Sequence, residues 1–208
     1  MIKILVVDAH PIIRKGLELV LNATPNIKIV GSLDNGEAIF DFLQKNEVTI
    51  IITEIDLPKL NGITVLRRLK IEYPNVKVIM FSAQPEDVYA VNTIKAGASG
   101  YVSKTTDILT LNEAIEKVNS GAIYLSNELA QRLAVGKQLS RSGNYYKKLS
   151  TREIEVLKLL ASGRKNKEIA KELKINEKTV STYKARLMKK LGVDNIVDLI
   201  NRANLLEL

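Results

Sequence analysis

Through the first 120 residues, short apolar runs alternate with segments whose apolar residues recur every three or four positions. Runs of the first kind are Ile2–Val7, Ile27–Ser32, Val48–Thr53, Val76–Phe81 and Ser99–Val102, and they predict strands. Between them lie Ile12–Leu21, Gly36–Leu43, Ile63–Leu69, Val88–Ala96 and Leu109–Val118, which predict helices. Ile12, Ile13, Leu17, Val20 and Leu21 mark the first helix, and Ala38, Ile39, Phe42 and Leu43 mark one side of the second. Near-continuous apolar strands are buried on both faces, and strict alternation with helices makes them parallel.

Right-handed crossovers then leave a doubly wound, five-stranded flavodoxin-like sheet as the expected α/β architecture. Ser126–Ala134 predicts a short helix. From Gly136 to Lys148 the chain has few aliphatic residues and two glycines, which reads as a linker. Beyond it the pattern is helical throughout, so a second, smaller all-α domain is expected. Ser150 and Glu153 are spaced as a capping box at the start of its first helix, and Gly163 ends that helix. Asn166–Leu173 and Glu177–Leu191 are joined by the three-residue turn Lys174-Ile175-Asn176, the spacing of a helix-turn-helix. Gly192 stops the second of these, and Asp194–Asn204 is the last helix. The expected division is 1–120, 121–148 (short helix and linker) and 149–208.

Composition narrows the chemistry. The 208 residues include no cysteine and one histidine, which excludes disulfides, thiolate metal sites, a cysteine nucleophile and most histidine clusters. No apolar run approaches a membrane span, and Met1-Ile2-Lys3-Ile4 does not open like a signal peptide, so a soluble cytoplasmic protein is expected. The net charge of +8 is uneven. Residues 1–120 hold 13 Lys and Arg against 14 Asp and Glu, while residues 121–208 hold 18 against 9. All the excess positive charge therefore lies in the last two-fifths, as in a polyanion-binding part joined to a neutral one. A merely solvated basic surface accounts for the charge equally well. No catalytic triad, glycine-rich phosphate loop or metal cluster is present, so an enzyme is not expected.

Ligands of an open parallel sheet sit beyond the carboxyl ends of its strands. Asp8, Glu54 with Asp56, Ser82 and Lys104 all fall there. A carboxylate on such a rim can attack a phosphoryl group, neighbouring carboxylates can hold Mg²⁺, and the hydroxyl and ammonium can bind phosphoryl oxygens. Residues 2–120 resemble the receiver domain of two-component response regulators. The pieces that carry the likeness are Val6-Val7-Asp8-Ala9-His10-Pro11, Glu54-Ile55-Asp56-Leu57-Pro58 with Asn61-Gly62, Ser82-Ala83, and Gly97-Ala98-Ser99-Gly100-Tyr101-Val102-Ser103-Lys104.

Two departures stand out. Glu54 occupies the family's phosphoacceptor aspartate position, and Ala9 replaces the acidic residue that is usually a direct Mg²⁺ ligand. A nucleophile one methylene too long, by about 1.5 Å, and a missing ligand both count against magnesium-dependent phosphorylation. No metal or other cofactor is therefore expected. Three readings remain: Glu54 as a permanent carboxylate reaching Lys104 in partial imitation of a phosphoaspartate, a relic pocket in a docking or dimerising domain, or phosphorylation retained on Glu54 or Asp56. Ser82 and Tyr101 match the family's switch positions; a strand-end cap and a packing ring are their ordinary alternatives. His10 reads as a helix-start residue.

Residues 149–206 resemble the LuxR-type helix-turn-helix domain of NarL/FixJ-type response regulators. The likeness rests on Leu149-Ser150-Thr151-Arg152-Glu153, Glu155-Val156-Leu157, Gly163, Asn166-Lys167-Glu168-Ile169-Ala170, Thr179-Val180 and Lys190-Leu191-Gly192-Val193. The segment Thr179-Val180-Ser181-Thr182-Tyr183-Lys184 is similar to the BvgA/EvgA branch, since most relatives carry Lys and His where Ser181 and Tyr183 stand. The resemblance implies double-stranded DNA as partner. Ser181, Thr182 and Ala185 would face base edges, and Lys165, Asn166, Lys178, Thr179, Tyr183, Lys184 and Lys189 would meet phosphates. Lys190 also reads as outward. Val193, Ile196 and Val197 are the implied homodimer contacts, with intradomain packing as their alternative. A sensor histidine kinase is a further implied partner. The function expected is a transcriptional regulator with an atypical receiver, independent of phosphorylation; the alternatives are a conventional phosphorylation-switched regulator and a docking adaptor that binds no DNA.

Overall fold

The computed structural model describes residues 1–134 and 149–204. The expected linker at 136–148 lies outside the described residues. The chain falls into two compact units, Met1–Gly136 and Lys137–Leu208.

The first unit runs β1 (Ile2–Val7), α1 (Pro11–Asn22), β2 (Ile27–Leu33), α2 (Ala38–Leu43), β3 (Ile50–Thr53), α3 (Gly62–Glu72), β4 (Lys77–Ser82), α4 (Glu86–Lys95), β5 (Gly100–Ser103), α5 (Ile108–Asn119) and α6 (Asn127–Ala134). Its strands form one parallel sheet in the order β2-β1-β3-β4-β5. That is the doubly wound arrangement the alternating pattern predicts. Ile4, Val6, Ile50, Ile52, Ile79 and Val102 meet Leu17 and Leu21 of α1 and Leu111, Ile115 and Val118 of α5 on one face. Leu5, Val7, Ile51, Val78 and Met80 are buried as well. Burial of alternate positions on both faces is why the strand runs carry no polar alternation.

Several boundaries move for local reasons. β3 begins at Ile50, and Thr49 before it already donates its N–H to the Lys3 carbonyl at 2.8 Å. α4 begins at Glu86, two residues before the expected start, with Pro85 as N-cap and Glu86 and Asp87 in the first turn, where the helix dipole favours carboxylates. Ile13, Leu17 and Leu21 form the inward stripe of α1, which leaves Ile12 exposed. Phe40 is buried and carries the Arg68 guanidinium 3.7 Å above its ring centroid, although the helical pattern did not place it inward. Tyr124 lies beside Gly100 as a parallel bridge at the outer edge of β5; its carbonyl accepts the Tyr101 N–H at 3.1 Å.

The second unit holds α7 (Thr151–Ala161), α8 (Asn166–Glu172), α9 (Glu177–Leu191) and α10 (Ile196–Asn204). Ile154, Val156, Leu157, Ile169, Val180, Leu187, Leu191 and Leu199 are its buried core. The capping box predicted for α7 is formed: the Ser150 N–H donates to Glu153 Oε2 at 2.6 Å, and the Glu153 N–H donates to Ser150 Oγ at 3.3 Å. Lys174 takes a left-handed φ of 53° in the turn between α8 and α9, and Gly192 takes one of 65° at the end of α9. The last helix starts two residues after the expected Asp194, because Asn195 Oδ1 accepts the Asp198 N–H at 2.9 Å and supplies the first-turn cap. Among the described residues no helix is long and apolar enough to cross a membrane.

Candidate functional site

Strand order reverses between β1 and β3, and the crevice beyond their carboxyl ends is where such a sheet binds ligands. Asp8 and Glu54 stand one residue past these two strands. The sheet still grips each backbone: the Asp8 N–H donates to the Leu33 carbonyl at 3.1 Å and the Glu54 N–H to the Val7 carbonyl at 3.0 Å. Lys104 follows β5, its N–H held by the Ser82 carbonyl at 2.9 Å. Gly62 lets α3 close on this rim, because a Cβ there would lie 2.1 Å from the Glu54 carbonyl oxygen.

The side chains converge. Lys104 Nζ lies 2.5 Å from Asp8 Oδ2 and 2.7 Å from Glu54 Oε2. Asp8 is 2 % exposed and Glu54 4 %. The Ser82 hydroxyl donates to Glu54 Oε1. Backbone donors complete the shell of Glu54: the Ile55 N–H reaches Oε1 at 2.5 Å and the Ala83 N–H reaches Oε2 at 3.3 Å. Asp8 Oδ1 accepts the His10 N–H at 2.8 Å and lies 3.1 Å from His10 Nδ1. Burial works against the Lys104 ammonium, but its hydrogen bonds to Asp8 and Glu54 outweigh that cost and raise its pKa. The cluster is thus two buried carboxylates sharing one ammonium.

Asp56 does not join it. Two residues along, the loop has turned outward, and Asp56 is exposed with Oδ2 accepting from Gln84 Nε2 at 2.5 Å. Gln84 is a junction that the sequence pattern did not single out. Its N–H donates to Ser82 Oγ at 3.1 Å, and its carbonyl accepts the Tyr101 hydroxyl at 2.6 Å. Tyr101 is wholly buried, and that burial pushes its phenol above its ordinary pKa. The two switch candidates, Ser82 and Tyr101, therefore meet on one residue.

The donor set does not fit the Mg²⁺ that the receiver likeness implies. Ala9 offers a methyl where a second carboxylate is needed. Both Asp8 oxygens are already engaged, one by His10 and one by Lys104. The ammonium of Lys104 stands between the two carboxylates and offsets part of the charge a divalent cation would otherwise meet.

The second unit presents a basic helical face. Lys165, Lys178, Ser181, Thr182, Ala185 and Lys189 are exposed, and Asn166, Thr179, Tyr183 and Lys184 are half-buried. The α9 start is fixed by Asn176, whose Oδ1 accepts the Thr179 N–H at 2.7 Å and hydroxyl at 2.8 Å. Asn166 Nδ2 donates to Ser181 Oγ at 3.3 Å and so ties the start of α8 to α9. Lys190 is exposed as expected, and its ammonium also lies 2.7 Å from Glu153 Oε2. Arg186 is exposed on the same helix and escaped the sequence reading. Of the dimer candidates, Val193 and Ile196 are half-buried, while Val197 is 61 % exposed.

Comparison with known proteins matches these two units in order. Residues 4–116 match the response regulator receiver domain, and residues 147–203 match the bacterial regulatory proteins of the luxR family. The Fimbriae Z protein of Escherichia coli K12 is 38% identical over 205 residues, covering 99% of this chain and 97% of the relative. BvgA of Bordetella pertussis is 31% identical over 201 residues, covering 97% of this chain and 96% of the relative. RcsB from Salmonella enterica serovar Typhimurium, solved bound to promoter rprA in the presence of phosphomimetic BeF3-, superposes with a TM-score of 0.80 at 26% identity and 98% coverage of each chain. Matched along its whole length in this way, the chain belongs to the response regulators that join a receiver domain to a luxR-family regulatory domain.

Proposed function

We propose that this protein is a cytoplasmic, non-enzymatic regulator of transcription that binds duplex DNA as a homodimer, and that its receiver works without phosphorylation. The observation that carries the second part is the shell of Glu54. Its carboxylate already holds the ammonium of Lys104, the hydroxyl of Ser82 and the N–H of Ala83. These are the groups that would otherwise be available to phosphoryl oxygens. Through Ser82, Glu54 is thereby linked to the Gln84 and Tyr101 junction with no phosphoryl group present. The three parts of the chain in this proposal are the receiver at 1–120, the short helix and linker at 121–148, and the DNA-binding domain at 149–208.

Incubation with Mg²⁺ and acetyl phosphate followed by intact mass tests the receiver reading. The mass should stay unchanged. A stoichiometric gain of one phosphoryl group on Glu54 or Asp56 would restore the conventional switch, with a sensor kinase as donor.

The DNA reading is supported by the helix-turn-helix geometry and by the excess of nine positive charges from residue 121 onward. Two copies would bind half-sites about 10 bp apart, with Val193, Ile196 and Val197 as candidate dimer contacts. Lys165, Asn166, Lys178, Thr179, Tyr183, Lys184 and Lys189 would take phosphates, and Ser181, Thr182 and Ala185 base edges. Lys178→Ala and Lys184→Ala should each weaken binding to all duplexes and flatten the plot of log affinity against log salt by about one unit. Titrations at several salt concentrations check this, and an unchanged slope would remove that lysine from the phosphate contacts. Absence of binding to any duplex at low salt would favour a docking adaptor.

A further inference from the structure

Ser181, Thr182 and Ala185 form a small, uncharged centre on the exposed side of α9, at i, i+1 and i+4. Cations flank it: Lys178 lies one turn before Ser181, Lys184 one turn after Ser181 and half-buried, and Arg186 and Lys189 one turn after Thr182 and Ala185. The two hydroxyls are turned back into the helix. Ser181 Oγ donates to the Glu177 carbonyl at 3.1 Å and accepts from Asn166 Nδ2. Thr182 Oγ1 donates to the Lys178 carbonyl at 3.0 Å. Their protons are therefore spent inside the protein. What this centre offers outward is a lone pair on each hydroxyl, the Thr182 methyl and the Ala185 methyl.

Base pairs differ in what they present to such a surface. A guanine edge in the major groove shows two acceptors, which call for a donor fork such as arginine or lysine. An A·T pair shows an amino donor on adenine and a methyl on thymine, side by side. It is the only pair that supplies both a proton for a hydroxyl lone pair and an apolar partner for a methyl. Resting on the DNA-binding reading above, we infer that Ser181, Thr182 and Ala185 select A·T pairs at the centre of each half-site, by methyl–methyl contact and by accepting from the adenine amino group. The surrounding lysines hold the flanking phosphates and carry no share of this choice.

The test uses the full chain and a pool of random duplexes at low salt. The bound fraction should be enriched in A·T pairs at the half-site centre. Replacing one central thymine by deoxyuridine removes only its methyl and should weaken binding by the wild-type protein about fourfold, the value of one buried methyl group. Thr182→Ser keeps the hydroxyl and removes the protein's methyl. It should abolish the thymine–uracil difference at one position, whereas Lys178→Ala should weaken binding and leave that difference intact. Selection of guanine at the centre, lost on Arg186→Ala, would overturn this inference while leaving the regulator reading in place. So would equal affinity for thymine and uracil duplexes. Failure to bind any duplex would overturn both.

Discussion

Lys104→Met should cost the first unit about 3–5 kcal/mol of stability near neutral pH, the loss typical of a buried ion network deprived of one partner. Asp8 and Glu54 would remain almost fully enclosed without the ammonium that now lies within 2.7 Å of both. Two buried carboxylates side by side disfavour each other's ionised form, so one would take up a proton in the folded variant. The pH window of this behaviour then moves from the alkaline to the acid side. In the wild type the raised Lys104 pKa supplies stability that is complete below the ordinary lysine value of 10.5 and is lost as pH rises through the folded value above it. In the variant, a carboxyl with a raised folded pKa supplies stability below its unfolded pKa and loses it as pH rises. Lys104→Met should therefore recover part of its deficit between pH 7 and pH 5. Adding Asp8→Asn to Lys104→Met should restore roughly half the loss, since it removes the second charge. Calorimetry of the full chain reads these changes in a protein that has no tryptophan. An unfolding temperature unmoved by Lys104→Met would mean that the ammonium does not hold the pocket together.

Much of this pocket was legible in the chain. Asp8, Glu54, Ser82 and Lys104 each follow an apolar strand run, and parallel strands point their ends to one rim. Order along the chain thus stood in for position in space. The same rule misplaced Asp56, because it extends only one residue past a strand, and a loop free of the sheet turns where its own packing takes it. His10, Ala83 and Gln84 were not legible as contacts. Ala83 acts through a backbone group, which every residue carries, and Gln84 and His10 do so in part. Hydrophobic pattern located the helices but misplaced several of their ends by one to three residues, since ends are set by polar side chains such as Asn195 and by Pro85, whereas the Ser150 cap of α7 and the Gly192 end of α9 were legible. Phe40 went unnoticed as a core residue because its cover is partly the flat face of Arg68, a residue counted as polar.

Lys190 shows the same limit and leads to the second large effect. From sequence it is one more cation on a basic helix. In the fold it neutralises Glu153, 37 residues earlier, whose carboxylate also accepts the Ser150 N–H and closes the capping box of α7. One buried carboxylate, 2 % exposed, thereby fixes the start of α7 to the end of α9. Glu153→Ala should remove a helix cap, worth about 1 kcal/mol, and an ion pair whose ammonium is partly screened by solvent, worth up to about 1 kcal/mol more, for a total of about 1–2 kcal/mol in the second unit. Burial opposes ionisation of Glu153, but the hydrogen bonds from Lys190 and Ser150 outweigh it and lower its pKa below 4.5. A carboxyl depressed in this way supplies stability that is present above its unfolded pKa and lost as pH falls through the folded one. The second unit should therefore hold its stability from pH 7 down to about 4.5 and lose this contribution below. Glu153→Gln keeps the acceptor for Ser150 and cannot titrate, so it should be less stable at pH 7 and should lack that acid-dependent loss. Acid titration followed by circular dichroism, with Lys190→Met as partner, reads both parts. If Lys190→Met unfolded at the same pH as the wild type, the ion pair would have no part in the acid response, and the capping box alone would account for Glu153.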